Sequence, residues 1–276
     1  MQGKIRLKVV SRTGEVRAAS DNGERVSLVY PNEYENGDYI TLESDRPGLF
    51  YMVQFEDTLP YALIYAPRTE MVYRIPFGED RIVFSPRSFT GTRHLIRARL
   101  AAREELAVRR CLSMNPYDRH GEDGFFPHAS ANVETRGESV FAAYNAIDGM
   151  FENTSHGAWP YQSWGINRDP DARWRLDFGR PVLIDEIRMT LRADFPHDNY
   201  WTRATVAFSD GSSEVLPLIK TAEPQPFPLV PRTVEWLVLK DLVQAEGESP
   251  FPALTQLEAW GCEPVFSSAK ENKTAR

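Results

Sequence analysis

The chain has 276 residues, 42% hydrophobic and 26% charged, with a formal net charge of -7. That length allows one large or two modest domains with sizeable cores, and the polarity is that of a folded chain, not a disordered one. An acidic sequence without a Lys/Arg run lacks the basic footprint that phosphate backbones require, which excludes nucleic acid and disfavours anionic membrane surfaces as partners.

The opening MQGKIRLKVVSRTGEV carries Lys4, Arg6 and Lys8 but no apolar run of signal-peptide length. No later stretch approaches the ~18 apolar residues that span a bilayer, so the expected location is cytoplasmic. The region 1–96 then reads as short strands, RVSLVY, DYITLE, LFYMVQF, YALIYA, MVYRI and RIVF, separated by Pro, Gly, Asn and Asp clusters. Such runs predict an antiparallel β-sandwich, for which the sequence offers no role. From Arg97 to Arg110, RARLAAREELAVRR has neither Gly nor Pro and is built of strong helix formers, with Leu100, Leu106 and Val108 as a partial apolar face. It predicts a helical linker.

Residues 111–264 return to strand signals, ARWRLDF, VLIDEIRMTLR, RATVAFS, SEVLPLI, TVEWLVLKDL and ALTQLEAWG. Ala204, Val206 and Phe208 alternate with polar residues as a half-buried strand requires, and Asp210-Gly211 supplies a hairpin turn. A second sandwich is predicted here, and the polar residues 265–276 read as a flexible tail. The fold class is therefore all-β. Two cysteines, Cys111 and Cys262, rule out a disulfide scaffold or a four-thiolate zinc site.

Four pieces of the second region, FAAYNAIDG (141–149), SWG (163–165), ARWRLDFGRPVLIDEIRM (172–189) and LTQLEAWG (254–261), occur in one order. Together they resemble the discoidin, or coagulation factor 5/8 type C, family of galactose-binding-like domains. The resemblance implies an eight-stranded jelly roll with its two ends side by side. It also places Cys111 and Cys262 where many members carry a terminal disulfide, against the alternative of two separate buried thiols. A structural calcium ion is implied at Asp148 and Glu258, with Asn153 or Thr154 as further ligands. Otherwise Asp148 caps its own turn.

The stretch RADFPHDNYW (192–201) leaves a predicted strand at the loop end of such a sandwich. Arg192, His197, Asp198 and Asn199 are suited to sugar hydroxyls, and Tyr200 or Trp201 to the apolar face of a sugar ring. The other reading makes Arg192 and Asp194 a strand-end ion pair, with Phe195 and Trp201 in the core. A second cluster, SHGAWPYQSWG (155–165), adds His156, Trp159 and Tyr161, with Trp164 read as the family's buried tryptophan. The two clusters are expected to meet across one mouth, His156 facing Arg192. The loop FFPHAS, with His128, stays unassigned.

No nucleophile elbow, metalloprotease helix or phosphate-cradling glycine loop is present. The expected function is non-catalytic carbohydrate binding, with a saccharide or glycan as partner. Two alternatives stay open. One is a glycan-active enzyme using carboxylates such as Asp194, Asp198, Glu134 or Glu138. The other is a module that binds a protein partner through the same loops.

Overall fold

The structure, a computed structural model, describes residues 3–121, 124–153, 155–193, 199–247 and 249–264. In chain order its first elements are β1 (Ile5–Val10), β2 (Val16–Ala19), β3 (Arg25–Tyr30), β4 (Tyr39–Ser44), β5 (Leu49–Gln54), β6 (Ala62–Ala66), β7 (Glu70–Arg74) and β8 (His94–Leu100). Alternation drives them: in β3 the side chains of Val26, Leu28 and Tyr30 are buried while those of Arg25, Ser27 and Val29 face solvent. They form two four-stranded antiparallel sheets, β2-β1-β4-β7 and β3-β8-β5-β6. Leu7, Val9 and Ile40 of the first meet Leu28, Val53 and Ile96 of the second in one core.

The linker helix is present and shorter than predicted. β8 runs through Leu100, and only α1 (Arg103–Ala107) is helical. Ile96 and Ala98 are buried, and β8 pairs with β3 on one side and β5 on the other. A central strand satisfied along both edges outweighs the helix propensity of its Arg and Ala residues. Arg99 grips Glu105 through two bonds of 2.7 and 2.6 Å, and Glu105 also accepts the Ala102 N–H at 2.7 Å, which fixes the start of α1.

The second sandwich comprises β9 (Arg110–Cys111), β10 (His128–Ala131), β11 (Trp164–Gly165), β12 (Trp174–Arg192), β13 (Trp201–Phe208), β14 (Ser213–Pro217), β15 (Gln225–Gln244) and β16 (Ala253–Cys262). All pairings are antiparallel, in the order β11-β16-β12-β15-β13-β14, with β10 on β12 and β9 on β16. β12 changes partners along its length: its first turn of pairing is with β10 at Trp174 to Asp177, and its later part pairs with β16 from Leu183 onward. Register shifts near residues 177–182 and 184–186 bend it between the two layers, as bulges do. Two glycines are forced. A Cβ at Gly179 (φ +67°) would lie 2.3 Å from the Phe126 ring, and one at Gly261 would lie 1.9 Å from the Leu183 carbonyl oxygen.

Trp164, Trp174 and Trp201 fill the interior with Phe178, Ile187, Met189 and Leu237. The first and last strands are neighbours, as the resemblance implies. The terminal cysteines, however, are not joined in a disulfide. The register puts Trp260 opposite Cys111, two positions short of Cys262, and Cys111 Sγ instead lies 3.2 Å from Ser113 Oγ. Burial pushes the Cys111 thiol up.

The two sandwiches share interior surface. Tyr117, Phe125, Phe141, Tyr144 and Tyr161 of the second pack into the core of the first. Tyr65 and Phe126 exchange two backbone bonds of 2.9 and 2.8 Å, Tyr117 Oη donates to the Pro60 carbonyl at 3.0 Å, and Gln162 Nε2 donates to the Val83 carbonyl at 3.1 Å. Among the described residues no helix is long and apolar enough to cross a membrane.

Candidate functional site

At one end of the second sandwich the chain leaves β11, β12 and β15 through loops that surround a cavity of about 720 Å³. Its wall is built first by side chains that tie the loops down. Arg192, 1% exposed at the end of β12, donates through Nη1 to the Tyr161 carbonyl at 2.5 Å and through Nη2 to the Ser155 carbonyl at 3.4 Å. The two sequence clusters therefore do meet, but Arg192 holds the 155–161 loop by its backbone. Asn199 is likewise buried. Its Nδ2 donates to the Ser249 carbonyl at 2.6 Å and the Ala245 carbonyl at 3.3 Å, and its Oδ1 accepts the Tyr200 N–H at 2.7 Å.

These placements correct several expected ligand contacts. Trp201 is fully buried and its ring lies 6.2 Å from that of Trp164, so it is core and cannot present a stacking face. Tyr161 is 9% exposed and packs into the first sandwich. Trp159 is half-buried and lines a different cavity, between the sandwiches. His156 and Tyr200 do line the loop-end mouth. His197, Asp198, Asp194 and Phe195 lie outside the described residues, as do Thr154 and the tail from 265. Trp164 is buried, as read.

The rest of the mouth comes from residues that sequence reading passed over. Phe251, 38% exposed, lies under the Arg168 guanidinium at 4.5 Å, and Asn167, Arg136, Lys220 and Glu246 complete the rim. Arg136 is held by Glu138 through a fork of 2.5 and 2.7 Å. Five described non-glycine residues have positive φ, and three of them, Arg136 (55°), Asn167 (50°) and Arg168 (62°), line this one mouth. Left-handed backbone at non-glycine positions costs of order 1 kcal/mol each and concentrates at binding sites. The Asn167 N–H donates to Thr135 Oγ1 at 3.0 Å, and the Asp169 N–H to the Ile166 carbonyl at 2.9 Å, which keeps this turn wound. Asn167-Arg168 was the available sequence signal, since Asn tolerates αL, but nothing linked it to Phe251 some eighty positions on.

Around Asp148, where the resemblance implies calcium, the donors are amides. Asp148, half-buried, accepts the Met150 N–H at 2.8 Å and Gln256 Nε2 at 2.7 Å on Oδ1, and Gln162 Nε2 at 3.0 Å on Oδ2. Gln256 Nε2 stands 2.7 Å from the carbonyls of Asn145 and Thr255 and 3.2 Å from that of Met150, and its Oε1 accepts the Gly149 N–H at 3.0 Å. One amide nitrogen with two protons thus sits among four oxygens. Glu258 is elsewhere, accepting Trp260 Nε1 at 3.2 Å. Among the described residues no three His, Cys, Asp or Glu side chains converge on a metal position. Asp148 caps its own turn. Burial pushes its pKa up to about 6, against the pull of its three donors.

No protein-family model matches the chain, and no curated protein does. Solved structures do overlap with it. A chitosan-binding module 1 from a chitosanase/glucanase of Paenibacillus sp. IK-5 is 16% identical, with a TM-score of 0.36 over 55% of this chain and 99% of that one. A family 32 CBM from C. perfringens NanJ, solved in complex with galactose, is 15% identical, with a TM-score of 0.40 over 55% of this chain and 99% of its own. A Streptococcus pneumoniae fucose binding module is 9% identical, with a TM-score of 0.41 over 55% of this chain and 96% of that one. These are similarities of shape over about half the chain.

Proposed function

We propose that the protein is a non-catalytic carbohydrate-binding protein whose site is the loop-end mouth of the second sandwich. The carrying observation is the pairing of Phe251, an exposed ring on the rim, with a ring of polar side chains on strained, braced backbone around it. A sugar ring can stack its CH face on Phe251 or Tyr200 while Asn167, Arg168, His156 and Glu246 hydrogen-bond its hydroxyls. Rigid loops limit the ordering cost of binding, but one open site buries little of its ligand, so affinity at a single mouth is modest.

The motif resemblance to galactose-binding-like domains supports the same end of the sandwich. Titration of the full chain with neutral mono- and oligosaccharides by calorimetry and thermal shift tests the proposal. A saturable response to one sugar class, lost in Phe251→Ala without a change in melting temperature, is the expected result. A full panel without response in the parent, or a response that Phe251→Ala leaves intact, overturns it.

A further inference from the structure

The turn after β5 and the segment 83–91 both belong to the first sandwich, and both line a second cavity, of about 500 Å³, at the seam between the sandwiches. Asp57 and Thr58 come from the turn, and Val83, Phe84, Ser85 and Arg87 from the segment. From the second sandwich, the Arg119 guanidinium lies over the Phe84 ring at 4.2 Å.

A buried acid joins the turn to the segment. Glu56 is 4% exposed. Its Oε2 accepts the Phe89 N–H at 3.0 Å, and its Oε1 accepts the Thr58 hydroxyl at 3.1 Å and the Thr58 N–H at 3.3 Å. Thr58 Oγ1 is in turn 2.6 Å from Ser88 Oγ, so one carboxyl group holds residues 88 and 89 by two routes. What it holds is strained: Phe89 is buried at φ +59°, a conformation that a bulky residue keeps only where its surroundings impose it. The Phe89 ring packs against those of Phe84 at 5.1 Å and Tyr73 at 6.0 Å, and its N–H is fixed by Glu56.

The group that does the holding is badly placed to carry a charge. Burial acts on it most, and next the Asp57 carboxyl group, near enough to share a hydrogen bond when one of the two holds a proton. Together they push Glu56 up to about 7, against the pull of the Phe89 and Thr58 donors. Tyr34, with Asp38 beyond it, and Tyr117 of the second sandwich are the other titratable groups that feel Glu56, and burial keeps both phenols neutral. His94 of β8, near Asp57, has Nε2 2.9 Å from the Gly91 carbonyl oxygen and is held below its ordinary range by burial. Arg87 of the segment is exposed.

We infer that Glu56 and Asp57 form a proton-operated latch: while the pair keeps one proton it holds the segment 83–91 to the turn, and when that proton leaves, two adjacent negative charges drive the buried carboxylate toward water and release the segment with its share of the seam wall. The folded state favours the proton, so opening grows as pH rises through about 7.

The latch is independent of the sugar reading of the mouth, and no ligand enters its test. Trypsin cuts after Arg87 in the full chain only when the segment opens, and the rate is divided at each pH by that on an unstructured peptide of the same sequence. Between about pH 6 and about pH 9 the parent's ratio should climb about fivefold or more, whereas Glu56→Gln, which cannot ionise, should stay flat. Asp57→Asn, at an exposed position, should keep the climb and move its midpoint down by about half a pH unit or more, because Glu56 loses a neighbouring charge. It carries the test should Glu56→Gln fail to fold. A flat ratio in the parent, a climb that persists in Glu56→Gln, or a midpoint unmoved in Asp57→Asn overturns the inference.

Discussion

The loop-end mouth and the seam between the sandwiches are lined by similar residue types, yet they are organised in opposite ways. At the mouth the buried polar groups, Arg192 and Asn199, spend their donors on loop carbonyls, and the exposed ring and rim side chains are left for a ligand. At the seam Gln162 and Tyr117 join one sandwich to the other, while the edge of Arg119 remains unengaged. Burial with full engagement marks a brace. Exposure on a braced frame marks a place for something else.

The contrast breaks most severely at its braces. Arg192→Ala should cost about 4 kcal/mol, because the carbonyls of Tyr161 and Ser155 lose a charged donor in a buried setting. Urea unfolding would record it, and a midpoint unchanged from the parent would show that the loop is held some other way. Next comes Gln256→Glu. It exchanges an amide donor for an acceptor among four oxygens, one of them on Asp148, and should lower stability by about 2 to 3 kcal/mol at neutral pH. Treating the parent with a chelator should leave its melting temperature unmoved if Gln256 alone serves the oxygens around Asp148.

A smaller effect is set by pH. Burial pushes Asp148 up to about 6 and Glu56 up to about 7. Both carboxyls resist ionisation in the folded state, so the folded protein takes up protons before the unfolded chain does, and stability rises as pH falls through these values. Asp148 should contribute about 1 kcal/mol per pH unit between about 6 and 4. His120, raised by Glu134, works in the same direction, and His94, lowered by burial, works against it. Thermal melts from about pH 8 to about pH 5 should climb, and a fall over that range would contradict the assignment of these buried acids. The smallest change belongs to the rim: Glu246→Gln should shift sugar affinity by no more than about threefold, as expected for one exposed hydrogen bond. Loss of a hydrolytic turnover in that variant would replace binding with catalysis.

The strands were legible because alternation survives in them; RVSLVY buries its three apolar side chains as the sequence pattern requires. The helix predicted over 97–110 is shortened to 103–107 because intrinsic propensity contains no information about two sheet neighbours, and β8 has both. At the site, residue type was legible and engagement was not. Arg192, Asn199 and Trp201 have the chemistry of a sugar contact, and whether a donor faces a ligand or a carbonyl of the next loop depends on packing alone. Phe251 was missed for the converse reason. A Phe between two prolines carries no signal of its side of the wall until the fold sets it, 38% exposed, on the rim.

The rings that the second sandwich lends to the core of the first bear on how the molecule can be divided. A cut placed at residue 110 would follow the sequence's change of character and still strip Tyr117, Phe125, Phe141, Tyr144 and Tyr161 of their packing. The second sandwich is therefore not a portable module to be grafted onto another chain. The first hundred residues serve as its moulded backing, and a change at Pro60 or Val83 is felt by the loop that frames the mouth.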